Sequence, residues 1–276
     1  MTVTMPVMTV AQERSWHALL DLHARHPSGW TLVGGQMVHL HCAERGGSPA
    51  RPTDDVDTVL DVRAEPYALL EITSTLRDLE FAPAGTTWNG HQHRWIRADD
   101  AVIDLLIPRH LGERAARRTG ATGGTTLETP GAQQALDRTD DVDVLVGERT
   151  GTVRRPRLLG ALVAKAAAHT VSLDTRRDRH VTDFAVLATL VRPDDAVHTA
   201  TARDRQYLQR MLTVTAADPR PWAAVGGAAE GLERLKLALR PRTARVHAPR
   251  PAPTAWAARP TKPADAAPDG EAGTHP

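Results

Sequence analysis

The chain has 276 residues, enough to bury a substantial core as one large domain or two small ones. Its 34 lysines and arginines against 33 aspartates and glutamates leave a formal charge of +1, so bulk charge names no partner. The one cysteine, Cys42, excludes an intrachain disulfide and a cysteine-based zinc site, and the absence of a leader-like amino terminus or of ~18 consecutive apolar residues leads us to expect a cytoplasmic protein.

In chain order, residues 11–26 carry Trp16, Leu19, Leu20 and His23 on one stripe of an amphipathic helix, stopped by Pro27-Ser28-Gly29. WTLV (30–33) reads as a strand, Gly34-Gly35 as a tight turn, and QMVHLHCAE as a helix opening directly after it. Past the loop RGGSPARPT, DVDTVLDV is a second strand, EPYALLEITSTLRDLE a helix, and HRWIR with AVIDLLIP a hairpin joined at Ala98-Asp99-Asp100. The stretch 113–131, rich in Gly, Thr and Arg, is expected to be a mobile loop or a domain junction. In DVDVLVGERTGTVRRP, Val142, Val144 and Val146 alternate as one face of a hairpin with a short return strand. RPRLLGALVAKAAAHTV and RHVTDFAVLATLV are helices, and helical segments continue from about residue 202 to 239. These elements predict an α/β fold, a mixed sheet within residues 1–150 followed by a helical carboxy-terminal subdomain over 151–240. The proline-rich remainder, 241–276, lacks apolar clusters and is expected to be a disordered tail.

Thr-Asp-Asp-Val-Asp occurs twice, at 53–57 and 139–143. The first copy follows a glycine turn that opens a helix, an arrangement suited to a nucleoside triphosphate: glycines admit phosphate oxygens close to the backbone, and a helix amino terminus presents unpaired N–H groups. On a strand, Asp55 and Asp57 face the same side at roughly 6–7 Å between Cα atoms. They can share Mg²⁺, a cation that takes hard oxygen ligands. Asp104 in AVIDLLIP is the third candidate carboxylate, because an isolated charge among Val102, Ile103, Leu105 and Leu106 is otherwise costly. The second copy has no such turn, and Asp141 and Asp143 are expected to be solvated residues of an exposed strand face.

Leu-Val-Gly-Gly at 32–35, Arg51-Pro-Thr53-Asp-Asp55-Val-Asp57 and Asp104 resemble the signature of the polymerase-β nucleotidyltransferase superfamily. More narrowly, GAQQALDRT, RPRLLGALVAKAAAH and RHVTDFAVLATL resemble the AbiEii family of nucleotidyltransferase toxins, over about residues 28–192. The resemblance implies a nucleotidyltransferase-type sheet, an NTP co-substrate cradled at Gly34, Gly35 and Thr53, and Mg²⁺ on Asp55, Asp57 and Asp104. It also implies an RNA acceptor such as the tRNA 3′ end and a protein antitoxin as partner. Gly35 stands where the superfamily often has serine, removing one hydroxyl from the phosphate cradle.

One of only three lysines, Lys165, falls on a helical face with Leu158, Leu162 and His169, and Asp183 shares a face of the next helix with Leu187 and Leu190. Two readings stand: a structural ion pair or a snorkelling lysine, and a cation that offsets charge on a transferring phosphoryl group. The resemblance favours the second, placing both residues in the active site, with His180 a weaker candidate. Arg176, Arg177 and Arg179 could grip a polyanion or lie at a solvated helix junction. His39, His41, His91 and His93 lack the i, i+4 spacing of helical zinc ligands. A small-molecule nucleotidyltransferase and a non-catalytic binding module are the alternatives that the same residues allow.

Overall fold

In the computed structural model, which describes residues 1–240, the apolar runs become the middle of a mixed sheet. The elements in order are β1 (Val3–Thr4), α1 (Val10–Arg25), β2 (Trp30–Val33), α2 (Gly34–Arg45), β3 (Val56–Leu60), α3 (Ala68–Asp78), β4 (Ala82–Pro83), β5 (Arg94–Ile96) and β6 (Val102–Pro108). There follow α4 (Glu113–Ala116), β7 (Leu127–Thr129), α5 (Ala132–Leu136), β8 (Thr139–Val146), β9 (Arg149–Pro156), α6 (Leu158–Ala168), α7 (Asp178–Thr189), α8 (Ala202–Ala217) and α9 (Ala228–Ala238).

The larger sheet runs β2-β3-β6-β5-β4, with β7 on the same edge of β6 as β5 but further along it. β3 and β6 are parallel, whereas β2, β4 and β5 pair antiparallel to their neighbours. Strands in the middle of such a sheet are covered on both faces, which explains why VDTVL and VIDLLIP are almost continuously apolar. Val56, Val59, Leu60, Ile103 and Leu105 have no exposed surface. Trp16, Trp30 and Trp95 are buried beside them, each contributing roughly 1.5–3 kcal/mol or more by removal from water. The charge of Asp104 therefore sits in the strand where it is least expected on energetic grounds.

The β8–β9 hairpin belongs to a separate three-stranded sheet, completed by β1 pairing parallel to β8. The return strand is eight residues long, not short, because all of β8 finds a partner on it. The 113–131 stretch also differs from expectation: Leu127–Thr129 adds to β6 as a strand, so its end is fixed by ladder hydrogen bonds. β9 continues through residue 150, and residues 1–240 lie within one compact unit. Helix α6 is buried nearly all round, its alanine side included, since Ala161 and Ala167 are as covered as Leu162. No helix of the described residues is long and apolar enough to cross a membrane. The expected tail, 241–276, lies outside the described residues.

Candidate active site

Three strands and one helix end converge on the first TDDVD. The loop before β3 is held from behind: Gln36 Nε2 donates to the Thr53 carbonyl at 2.8 Å, Gln12 Nε2 donates to the same oxygen, and Trp16 Nε1 fixes Gln36 Oε1 at 3.1 Å. All three side chains are buried, so the turn that presents Thr53 and Asp55 rests on a rigid polar support. Thr53 Oγ1 donates to Asp55 Oδ1 at 3.2 Å, and the Thr53 side chain, hydroxyl first, fills the space that a Cβ on Gly35 would enter. Gly35 is thus required by Thr53, and Thr53 orients Asp55.

Register brings the carboxylates together. Asp57 pairs with Val33 on β2 and with Asp104 on β6, while Asp55 stands just before β3. Carboxylate oxygens of Asp55, Asp57 and Asp104 lie within 4.8 Å of one another, the only His/Cys/Asp/Glu group of that kind among the described residues. Gly34 begins α2 with φ of +68°, a left-handed conformation, and a Cβ there would overlap the Asp57 carboxylate. No side chain caps α2, so its amino terminus opens beside the carboxylates.

The three acids are not equivalent. Asp55 and Asp104 are both tied to Arg94: Nε donates to Asp104 Oδ1 at 2.8 Å, and Nη2 donates to Asp104 Oδ2 at 2.7 Å and to Asp55 Oδ2 at 2.8 Å. The Asp57 carboxylate makes no hydrogen bond or ion pair with described residues. Its pKa is raised to about 7, first by burial and then by the charges of Asp55 and Asp104, with Lys165 and Arg179 pulling the other way. A small cation would relieve that repulsion. The donors are all hard oxygens, one is unpartnered, and the helix end is open, so the residues fit Mg²⁺.

Lys165 and Asp183, each on the inward face of its helix, form an ion pair, the structural one of the two readings of the sequence. Lys165 Nζ donates to Asp183 Oδ2 at 2.6 Å, with both side chains 4% exposed. Arg51, just ahead of the motif, adds a two-pronged clasp on Asp183 at 3.0 and 2.8 Å. Burial alone would raise Asp183, but Lys165 and Arg51 outweigh it and hold the carboxyl below its ordinary range. His180 Nε2 donates to Asp174 Oδ2 at 2.9 Å. Burial, then the Lys165 charge, lowers its pKa to about 4, which keeps the ring neutral.

Around the second TDDVD, Asp140, Asp141 and Asp143 are exposed while Val142, Val144 and Val146 fill the core. Asp141 pairs with Arg154 at 3.2 Å, Asp140 with Arg157 at 3.3 Å, and Asp143 accepts from Thr152 at 2.8 Å. Nothing there converges.

Arg94 has no role in the sequence reading above, although its position was accessible. A hairpin turning about Asp99 places residues five before and five after it opposite each other, which pairs Arg94 with Asp104. Gln12 and Gln36 gave no comparable signal, because their partner is a backbone carbonyl distant in sequence.

No family model and no curated protein matches this sequence. Among solved structures, an antigenic nucleotidyltransferase-like protein from Paracoccidioides brasiliensis is 14% identical, covering 83% of this chain and 94% of its own, with a TM-score of 0.47. The antibiotic-resistance factor ANT(2'')-Ia is 12% identical, covering 76% of this chain and 96% of its own, with a TM-score of 0.41. With likeness at that level, the chemistry of the cleft has to come from its own residues.

Proposed function

We propose that this chain is a Mg²⁺-dependent nucleotidyltransferase, moving a nucleoside monophosphate from an NTP to an acceptor hydroxyl. The observation that carries this reading is the convergence of Asp55, Asp57 and Asp104 within 4.8 Å beside an uncapped helix amino terminus opened by Gly34. Carboxylates alone would repel a triphosphate; a helix end alone would not organise its charge. Together they suit a metal-triphosphate. In the reaction the acceptor oxygen bonds to the α-phosphorus, the bond to the β-phosphate oxygen breaks, and pyrophosphate leaves with that electron pair. Mg²⁺ bound there would stabilise charge on the phosphate oxygens.

Asp55 and Asp57 are assigned to metal binding, and Asp104 to completing the set and taking the acceptor proton. Gly34 and Gly35 admit the Asp57 and Thr53 side chains against the start of α2, whose free backbone N–H groups are assigned to phosphate oxygens, with Thr53 orienting Asp55. Lys165, clamped by Asp183 and acting electrostatically on Asp57, is assigned to offset developing charge.

For the acceptor we favour RNA, such as the tRNA 3′ end, and for the biological role an AbiEii-type toxin restrained by an antitoxin, both resting on the resemblance of the motifs. Two arginines on one open cavity in the helical part would suit a polyanion. Arg203, Gln206, Tyr207 and Arg210 line an open cavity of about 520 Å³ with Thr170, and Arg177 and Arg210 both lower the pKa of nearby His169 after burial does.

Incubation with α-³²P-labelled NTPs, Mg²⁺ and total RNA tests the reading. Label on RNA that vanishes with EDTA supports it. Label only on a small hydroxylated acceptor added separately would keep the chemistry and replace the acceptor. No labelled product from any acceptor with any NTP would contradict nucleotidyl transfer.

A further inference from the structure

Resting on the nucleotidyl-transfer reading, we infer that Arg94 makes metal and triphosphate binding mutually dependent, by filling the acidic site until an anion arrives to take the guanidinium. The geometry states the conflict. Both oxygens of Asp104 and one oxygen of Asp55 are already engaged by the Arg94 fork, at 2.7–2.8 Å. A divalent cation that needs those oxygens has to displace an arginine, not merely water.

The placement permits such displacement. Asp104 is rooted in β6 with its side chain 8% exposed, whereas the Arg94 side chain, from the adjacent β5, is 42% exposed. The carboxylate is the fixed partner and the guanidinium the one with room to move. Charge supplies the coupling. Mg²⁺ alone would evict Arg94 from its two carboxylates and leave it without an anion. Mg²⁺ arriving with a triphosphate brings phosphate oxygens that a planar guanidinium can clasp in two-pronged fashion, replacing the lost bonds. Asp57, unengaged by Arg94, remains available for the metal's first contact.

Two of the nearby acids are already held by other cations. Asp99, at the turn of the same hairpin, is bound by Arg97 and Arg14. Asp183 is occupied by Lys165 and Arg51. The site is therefore built to stay closed to bare divalent cations and to open to the metal-nucleotide complex.

The test uses the full chain and Mn²⁺, whose binding is read directly by electron paramagnetic resonance, with and without a mixture of α,β-methylene nucleoside triphosphates. Arg94→Met should bind Mn²⁺ alone about 5- to 150-fold more tightly than the unaltered protein, the usual span of a coupling between linked sites. With the analogues present that advantage should shrink or reverse, because the variant lacks the clasp on phosphate. Arg94→Lys keeps the charge but loses the fork, so its Mn²⁺ affinity should fall between the two; it carries the test if Arg94→Met fails to fold by circular dichroism. Equal Mn²⁺ affinity in the unaltered and folded variant proteins overturns the role of Arg94. If the unaltered protein binds Mn²⁺ with analogue but the variants do not differ from it, only this inference falls. If no protein binds Mn²⁺ under either condition, nucleotidyl transfer falls with it.

Discussion

The same five residues, Thr-Asp-Asp-Val-Asp, make a convergent acidic site at 53–57 and an ordinary exposed strand at 139–143. In both copies valine points into the core and the alternate residues point away from it. What differs is what lies on that other side. For the first copy it is the open end of α2, a second central strand bearing Asp104, and a buried support of Gln12, Gln36 and Trp16. For the second it is solvent, with Arg154 and Arg157 as surface partners. The chemistry belongs to the neighbours of the motif, not to the motif.

The largest difference in stability should come from the charges that flank each copy. Asp183→Leu strands Lys165 in the core and releases Arg51 beside the first copy, at an expected cost of ~3–5 kcal/mol. Lys165→Met should cost less, about 1–3 kcal/mol, because Arg51 still satisfies the carboxylate. Urea unfolding of both variants checks this order, and a costlier Lys165→Met would mean that Arg51 does not hold Asp183. If the lysine serves the triphosphate, transfer by Lys165→Met should fall by about 10² to 10³ even where it remains folded.

A pH comparison sharpens the contrast. The folded pKa of Asp57 is raised from 3.8 to about 7, so the folded state binds its proton more tightly than the unfolded chain does. Stability from this group is therefore present below about pH 4 and is lost as pH rises to about 7. Asp57→Asn should accordingly stabilise the metal-free protein at pH 8, by up to about 4 kcal/mol, and change little at pH 4. Thermal melting at the two pH values measures it. Asp143→Asn should show no such pH dependence. A flat profile for Asp57→Asn would remove the argument that the three carboxylates repel one another.

The smallest effect is expected at the second copy itself. Asp141→Ala breaks one ion pair with Arg154 whose acid is 55% exposed, so the melting curve should shift by the equivalent of less than about 1 kcal/mol. A larger loss would show that the pair is structural.

Much of this was legible because it is local or periodic. The two central strands, the inward Lys165 and Asp183, and the solvated second copy all follow from spacing and alternation, whereas Gly34-Gly35, expected as a turn before the helix, are the first residues of α2 itself. The parts that were not legible depend on pairings across the chain. Val3–Thr4 becomes a strand only because β8 offers it an edge, and Leu127–Thr129 only because β6 extends past β5. The alanine side of α6 is covered by α5 and α8, whose positions no helical wheel contains. Arg94 falls between these cases: the hairpin register points to it, but its contact with Asp55 requires the β3–β6 pairing as well.

The most direct test of the central claim is transfer of α-³²P label by Asp57→Ala and Asp143→Ala, assayed side by side with the unaltered protein after circular dichroism shows all three folded. The account predicts no detectable transfer by Asp57→Ala and near-normal transfer by Asp143→Ala. Equal loss in the two variants, or retained transfer by Asp57→Ala, would contradict it.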